Sequence, residues 1–127
     1  MKTINPNLSN VFIDIDNTIT RDLGATFIEN ALQSIKEIST KANVFIWSQG
    51  GLAYALEIVE KAKIQEFVCC VIPKPDLMID DLSPDKWCGI ITIQNKPQTG
   101  WQDVQAVMNQ LDGDWIEDGF VLRATKR

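Results

Sequence analysis

VFIDIDNT, at residues 11–18, gives the strongest indication of how this chain folds. The apolar run at its start predicts a short buried strand, and two carboxylates, Asp14 and Asp16, follow directly. On an extended backbone, alternate residues point to the same side, so both carboxylates can face a substrate beyond the strand end. A carboxylate nucleophile needs a second acid to manage the proton of the leaving group. We therefore predict a catalytic pair at this strand end.

Composition sets the broad class of the protein. With 127 residues and 45% hydrophobic content, residues 1–127 are expected to form one domain with a substantial core. The net charge of −5 argues against general affinity for nucleic acid or anionic membranes. The sequence shows no signal-peptide core and no membrane span, and Cys69, Cys70 and Cys88 fit no disulfide or zinc spacing. These features predict a cytoplasmic protein without a membrane partner.

The chain contains no histidine. This excludes Ser-His-Asp and Cys-His catalysis, phosphohistidine intermediates and histidine-ligated metals. Acid–base chemistry is therefore left to carboxylates, lysines, cysteines or the single tyrosine, Tyr54.

Apolar periodicity predicts alternating strands and helices along the chain. Strands are predicted at 10–15, 44–47, 67–72, 77–79 and 89–93, and helices at 24–39, 51–62 and 101–111. This order predicts an α/β fold, a three-layer sandwich around a central parallel sheet of about five strands. Residues 114–127 form an ambiguous C-terminal extension, for which a small hairpin through 117–119 is one interpretation.

Polar residues follow the second and third predicted strands, at the sheet edge where α/β proteins place their sites. The second strand leads to Ser48, Gln49 and Gly50 at the start of a helix. Their hydroxyl and backbone N–H groups are suited to binding an anion. The third strand leads to Lys74, a cation available to phosphate oxygens. Together these residues predict a phosphate-binding site.

Two further acids, Asp80 and Asp81, follow the predicted fourth strand. Carboxylate oxygens are hard ligands of the kind that Mg²⁺ prefers. Acids, anion donors, a cation and metal ligands at neighbouring strand ends are what displacement at phosphorus requires.

In this order, the motifs resemble the haloacid dehalogenase-like (HAD) superfamily of aspartate-nucleophile phosphatases, over roughly residues 10–95. The resemblance implies that Asp14 is the nucleophile and Asp16 the general acid/base. It further implies that Ser48 binds the phosphoryl group, with Lys74 as the third-motif lysine. Asp80 and Asp81 would hold Mg²⁺ together with Asp14 and the backbone carbonyl of Asp16.

The chain departs from the family pattern at two places. Lys74 stands only six residues before Asp80, where family members usually place a helix, and Lys86 is the substitute for the motif lysine. Many members also carry a cap domain, whereas the intervals 19–43 and 49–73 hold 25 residues each, enough for one helix and little else. We therefore expect a capless member with an open site.

The predicted function is a Mg²⁺-dependent phosphomonoester hydrolase that acts through an aspartyl-phosphate on a small or macromolecular substrate. A non-catalytic HAD-like binding or scaffold module is the main alternative, and a polynucleotide-end phosphatase or a receiver-like phosphoacceptor is less favoured. In receiver domains the acidic pair comes before the phosphoacceptor, whereas here Asp80 and Asp81 follow Lys74.

Apolar residues late in the chain predict a further contact surface. They are expected either to fold back as a covering hairpin or to form a homodimer interface, and we favour the homodimer. The residues are Trp87, Trp101, Trp115, Phe120, Val121 and Leu122.

Overall fold

The structure, a computed structural model, describes residues 1–87, Trp101, Met108, Leu111, 115–117 and 120–122. Within these residues the chain is mixed α/β, with a three-stranded parallel sheet and two α-helices. The strands are β1 Ser9–Asp14, β2 Thr20–Arg21, β3 Thr26–Phe27, β4 Ala42–Ser48, β5 Cys70–Pro73, β6 Trp115–Glu117 and β7 Phe120–Leu122. The helices are α1 Ala31–Ser39 and α2 Leu52–Ala62, with 3₁₀ turns at Asp22–Gly24, Gln65–Phe67 and Pro84–Lys86.

The central sheet has the strand order β1-β4-β5, and all its strands are parallel. Asp14, the last residue of β1, pairs with Trp47, and Ser48, the last residue of β4, pairs with Pro73. The carboxyl ends of the three strands therefore lie side by side at one edge, where α/β folds place their ligands. The predicted parallel sheet is confirmed for these three strands.

One face of the sheet carries the core. Ile13, Val44, Ile46 and Val71, from β1, β4 and β5, are buried in one cluster with the apolar sides of both helices. The helices have hydrophobic residues at three- and four-residue spacing, which turns one side of each toward the sheet. None of the helices in the described part of the chain is long and apolar enough to cross a membrane.

The opposite face of the sheet is aromatic. Phe12 stacks on Phe45 with ring centroids 4.5 Å apart, and Phe12 and Trp47 form a T-shaped pair with ring centroids 4.9 Å apart. Because neighbouring parallel strands place residues in register on the same face, these rings come together although they lie on two strands.

The predicted helix over 24–39 is wrong in its first part. Helix α1 begins at Ala31, and the residues before it form the short antiparallel hairpin of β2 and β3. Asp22, Leu23 and Gly24 have φ values of 51°, 53° and 92°, a left-handed turn that reverses the chain. The N–H of Ile28 then donates to the carbonyl of Ile19 at 2.8 Å, which holds the hairpin against the turn that follows β1.

The predicted fourth strand over 77–79 is also wrong. This segment is irregular, and its side chains are open to solvent, with Leu77 79% and Ile79 96% exposed. An apolar triplet gains strand structure only when it pairs and is buried, and Pro75 removes one of the backbone donors that pairing would use.

The remaining predictions have mixed outcomes. The strand over 67–72 begins later than predicted, at Cys70, because Gln65–Phe67 forms a 3₁₀ turn. The strand over 89–93 and most of the helix over 101–111 lie outside the described residues, although Met108 and Leu111 are helical. The hairpin interpretation of the C-terminal extension is confirmed, since β6 and β7 pair in antiparallel orientation.

Candidate functional site

Lys74, the residue that follows β5, contacts Asp14 at the end of β1. The backbone N–H of Lys74 donates to the carbonyl of Ser48 at 2.9 Å, which fixes the chain as it leaves β5. The Nζ of Lys74 lies 3.1 Å from Oδ1 of Asp14 and 5.6 Å from the centre of the Trp47 ring. Lys74 is 27% and Asp14 33% exposed, so the pair is open to a substrate. Two residues far apart in the sequence, both predicted as site residues, thus meet at the sheet edge.

The turn after β1 fixes the second carboxylate. The N–H groups of residues 18–20 all point to the carbonyl of Ile15, at 3.0, 2.7 and 3.1 Å. Ile15 and Ile19 are fully buried, whereas Asp16, between them, is half-buried. Asn17 has a φ of 62°, which its short polar side chain tolerates and which closes the turn. Apolar anchors therefore hold the turn while Asp16 remains accessible.

Tyr54, in the first turn of α2, completes the contacts of this carboxylate. Its hydroxyl donates a hydrogen bond to Oδ1 of Asp16 at 2.6 Å. Burial, followed by this bond to Asp16, raises the pKa of Tyr54 above its ordinary value. The phenol is therefore a neutral hydrogen-bond donor at physiological pH.

Sequence reasoning did not place Tyr54 in the site. Two signals were present: it is the only tyrosine of a chain without histidine, and it follows Ser48 by six residues at the start of the predicted helix.

The turn between β4 and α2 carries the predicted anion-binding residues. Ser48 is buried, and its Oγ accepts the N–H of Gly50 at 2.9 Å. Gln49 and Gly50 are exposed, and Gly51, with a φ of 95°, precedes the helix without a side-chain cap. The hydroxyl of Ser48 therefore shapes the turn, and the exposed backbone after it is the part that can meet an anion.

The structure does not bring Asp80 and Asp81 into this site as ligands. Both lie in the irregular segment after β5 and are exposed. The N–H of Leu82 donates to Oδ1 of Asp80 at 3.0 Å, and this bond, then a hydrogen bond with Asp81, lowers the pKa of Asp80. With their neighbours they line a separate cavity of about 340 Å³, and Asp14 is not among its lining residues.

The predicted magnesium ligands are therefore only partly assembled. In the part of the chain that the structure describes, no three acidic or cysteine side chains are gathered closely enough to hold a metal ion. The carboxylate of Asp14 and the backbone carbonyl of Asp16 are available where β1 ends, but Asp80 and Asp81 lack the strand that was predicted to carry them there. The residues as arranged do not fit a complete Mg²⁺ site.

The two candidate motif lysines, Lys74 and Lys86, lie in different surroundings. Lys74 forms the ion pair with Asp14, whereas Lys86 lies in the 3₁₀ turn after the irregular segment and is exposed. The geometry thus favours Lys74 as the site lysine.

Comparison with protein-family models, with curated proteins and with solved structures gives no significant match for this chain.

Proposed function

We propose that this protein is a phosphomonoester hydrolase that uses Asp14 as its nucleophile. The observation that carries the proposal is the 3.1 Å contact between Lys74 and Asp14 at the carboxyl edge of the parallel sheet. The sequence predicts both residues as members of one phosphoryl-transfer site, and the contact between them supports that prediction. A lysine next to a carboxylate nucleophile can neutralise the charge of the incoming phosphate.

The proposed reaction has two displacements. A carboxylate oxygen of Asp14 attacks phosphorus, the bond from phosphorus to the ester oxygen breaks, and Asp16 gives that oxygen its proton. Water then attacks the phosphorus of the aspartyl-phosphate and loses a proton to Asp16. The bond from phosphorus to Asp14 breaks, which releases phosphate and restores both carboxyl groups. Dividing one hard displacement into two easier ones is the general advantage of a covalent intermediate.

Mg²⁺ is the proposed cofactor, because the resemblance to HAD phosphatases implies it and because the carboxylate of Asp14 and the backbone carbonyl of Asp16 supply two hard oxygen donors. When bound, the ion would neutralise charge on the transferring phosphoryl group. Asp80 and Asp81 would bind the ion only in a different conformation of the segment 76–83. Neither of the two proposed displacements depends on them.

The finer architecture also belongs to this proposal. A three-layer, capless HAD-like sandwich of about five strands would extend the observed three-stranded sheet, with the predicted strand 89–93 as one of the added strands. Such a site is open, which suits either a small phosphorylated molecule or a phosphorylated macromolecule. The net charge of −5 makes a nucleic-acid substrate less favoured.

A non-catalytic binding module is the second candidate. The observation in its favour is that the described acids do not gather into a metal site. In such a module, the sheet edge would bind a phosphorylated partner without cleaving it.

Release of p-nitrophenol from p-nitrophenyl phosphate in the presence of Mg²⁺ tests the proposal. Asp14→Asn should lower the rate roughly a thousandfold or more, because an amide cannot act as the nucleophile. Glu66→Gln is the matched control, the same change at an exposed position in the 3₁₀ turn before β5. Equal rates for Asp14→Asn and wild type would refute the mechanism, and an inactive wild type that still binds phosphate would favour the binding module.

A further inference from the structure

We propose that Tyr54 is a positioning residue that aims the Asp16 carboxylate at the leaving group. The inference rests on the proposed function, because the orientation of Asp16 matters to catalysis only if Asp16 transfers a proton. Its basis is the 2.6 Å hydrogen bond from the Tyr54 hydroxyl to Oδ1 of Asp16. A carboxylate that moves protons needs a fixed direction, and a rigid phenol on a helix can supply it.

Two glycines form a slot that holds the Tyr54 ring. A Cβ at Gly50 would lie 2.8 Å from Cδ2 of Tyr54, closer than such atoms approach in proteins. A Cβ at Gly24 would lie 3.2 Å from the Tyr54 hydroxyl and 2.9 Å from Cδ1 of Ile58. The ring is therefore confined between the turn after β4 and the hairpin of β2 and β3. This confinement removes the side-chain freedom that would otherwise let the phenol leave Asp16.

The groups around the phenol keep it protonated. Burial and Asp16 raise the pKa of Tyr54, and the charge of Glu57, on the same helix, acts in the same direction. The hydroxyl of Thr20 acts oppositely. Thr20 is fully buried, and its Oγ1 has no hydrogen-bond partner within normal geometry among the described residues. The phenol therefore donates to Asp16 throughout the neutral pH range.

Tyr54→Phe removes the hydroxyl and keeps the ring. We expect kcat/KM for the phosphate ester of a simple alcohol to fall roughly tenfold to a hundredfold, as for a lost hydrogen bond to a charged group. The loss should be smaller for p-nitrophenyl phosphate, whose leaving group needs no proton. The pH–rate profile should also change, because Asp16 loses the hydrogen bond from the Tyr54 hydroxyl. Equal losses for both esters, with an unchanged profile, would overturn the inference.

Lys61→Gln is the matched control. The Nζ of Lys61 donates to the carbonyl of Gly24 at 2.9 Å, so this variant removes another contact between α2 and the hairpin without touching Asp16. It should leave the ratio of the two ester rates and the pH profile as in wild type. A control that behaved like Tyr54→Phe would show that both variants act through general loosening of the hairpin, which contradicts positioning.

A second measurement separates this inference from the proposed function, because it needs no activity. Tyr54 is the only tyrosine, so its ionisation can be followed alone by ultraviolet absorbance. The transition should occur above the pH of free tyrosine in wild type and shift to lower pH in Asp16→Asn and Asp16→Ala, with circular dichroism confirming the fold. An unshifted transition would refute the contact with Asp16. A shifted transition in a protein that hydrolyses neither ester would keep the contact and refute the phosphatase.

Discussion

At the scale of single residues, Lys74 shows how local backbone geometry resolves an unusual spacing. Lys74 stands only six positions before Asp80, which leaves no room for the helix that members of the HAD superfamily, whose motifs the sequence resembles, usually place there. In the structure Lys74 still reaches Asp14, because β5 ends beside β4 and the N–H of Lys74 continues the pairing to Ser48. The short spacing instead affects Asp80, which is left in an exposed segment.

Lys74→Met tests the role of this charge. Both partners are about a third exposed, so the ion pair should contribute less than about 1 kcal/mol to the free energy of unfolding in urea. Phosphatase activity should fall on the order of a hundredfold or more, because the proposed mechanism uses this charge to stabilise the transferring phosphoryl group. Lys86→Met, which changes the alternative lysine, should behave as wild type in both measurements. The reverse pattern would assign the role to Lys86.

Among the secondary-structure elements, the sequence predicts best those whose apolar residues are buried in a regular pattern. Strand β4 and helix α2 were predicted to within two residues, since their apolar residues repeat with one clear period. The hairpin before α1 was missed because Phe27 and Ile28 suit a helix face as well as a strand. The chain reverses direction in this hairpin through left-handed backbone at Asp22 and Leu23, a conformation that these residue types do not predict. The strand predicted at 77–79 does not form, and the sequence could not show this, because apolar side chains do not reveal whether a neighbouring strand is available for pairing.

Two glycine variants in the turn before α2 distinguish backbone strain from contact with Tyr54. Gly51→Ala enters open space but at a φ of 95°, and Gly50→Ala meets the Tyr54 ring at 2.8 Å. Each should lower the free energy of unfolding by about 1–3 kcal/mol, as measured in urea. Only Gly50→Ala should also shift the ionisation of Tyr54, because it displaces the ring from Asp16. A shift in both variants would mean that the turn moves as one unit.

At the scale of the whole molecule, the parallel sheet gathers three strand ends, and this much of the site could be predicted from the order of elements. The contact between Tyr54 and Asp16 could not, because it depends on the rotation of α2 and on the slot between two glycines. Self-association stays a prediction. The indole N–H of Trp101 donates to the carbonyl of Thr18 at 2.7 Å, and the side chain packs against the core of the same chain.

We propose that Asp14 carries the phosphoryl group during turnover. The most direct measurement is rapid mixing with p-nitrophenyl phosphate and Mg²⁺, acid quenching, and mass spectrometry of the digested protein. We predict the added mass of one phosphoryl group on the peptide that contains Asp14, and its absence in Asp14→Asn. A phosphoryl group on another residue, or turnover of wild type without any phosphorylated peptide, would contradict the account.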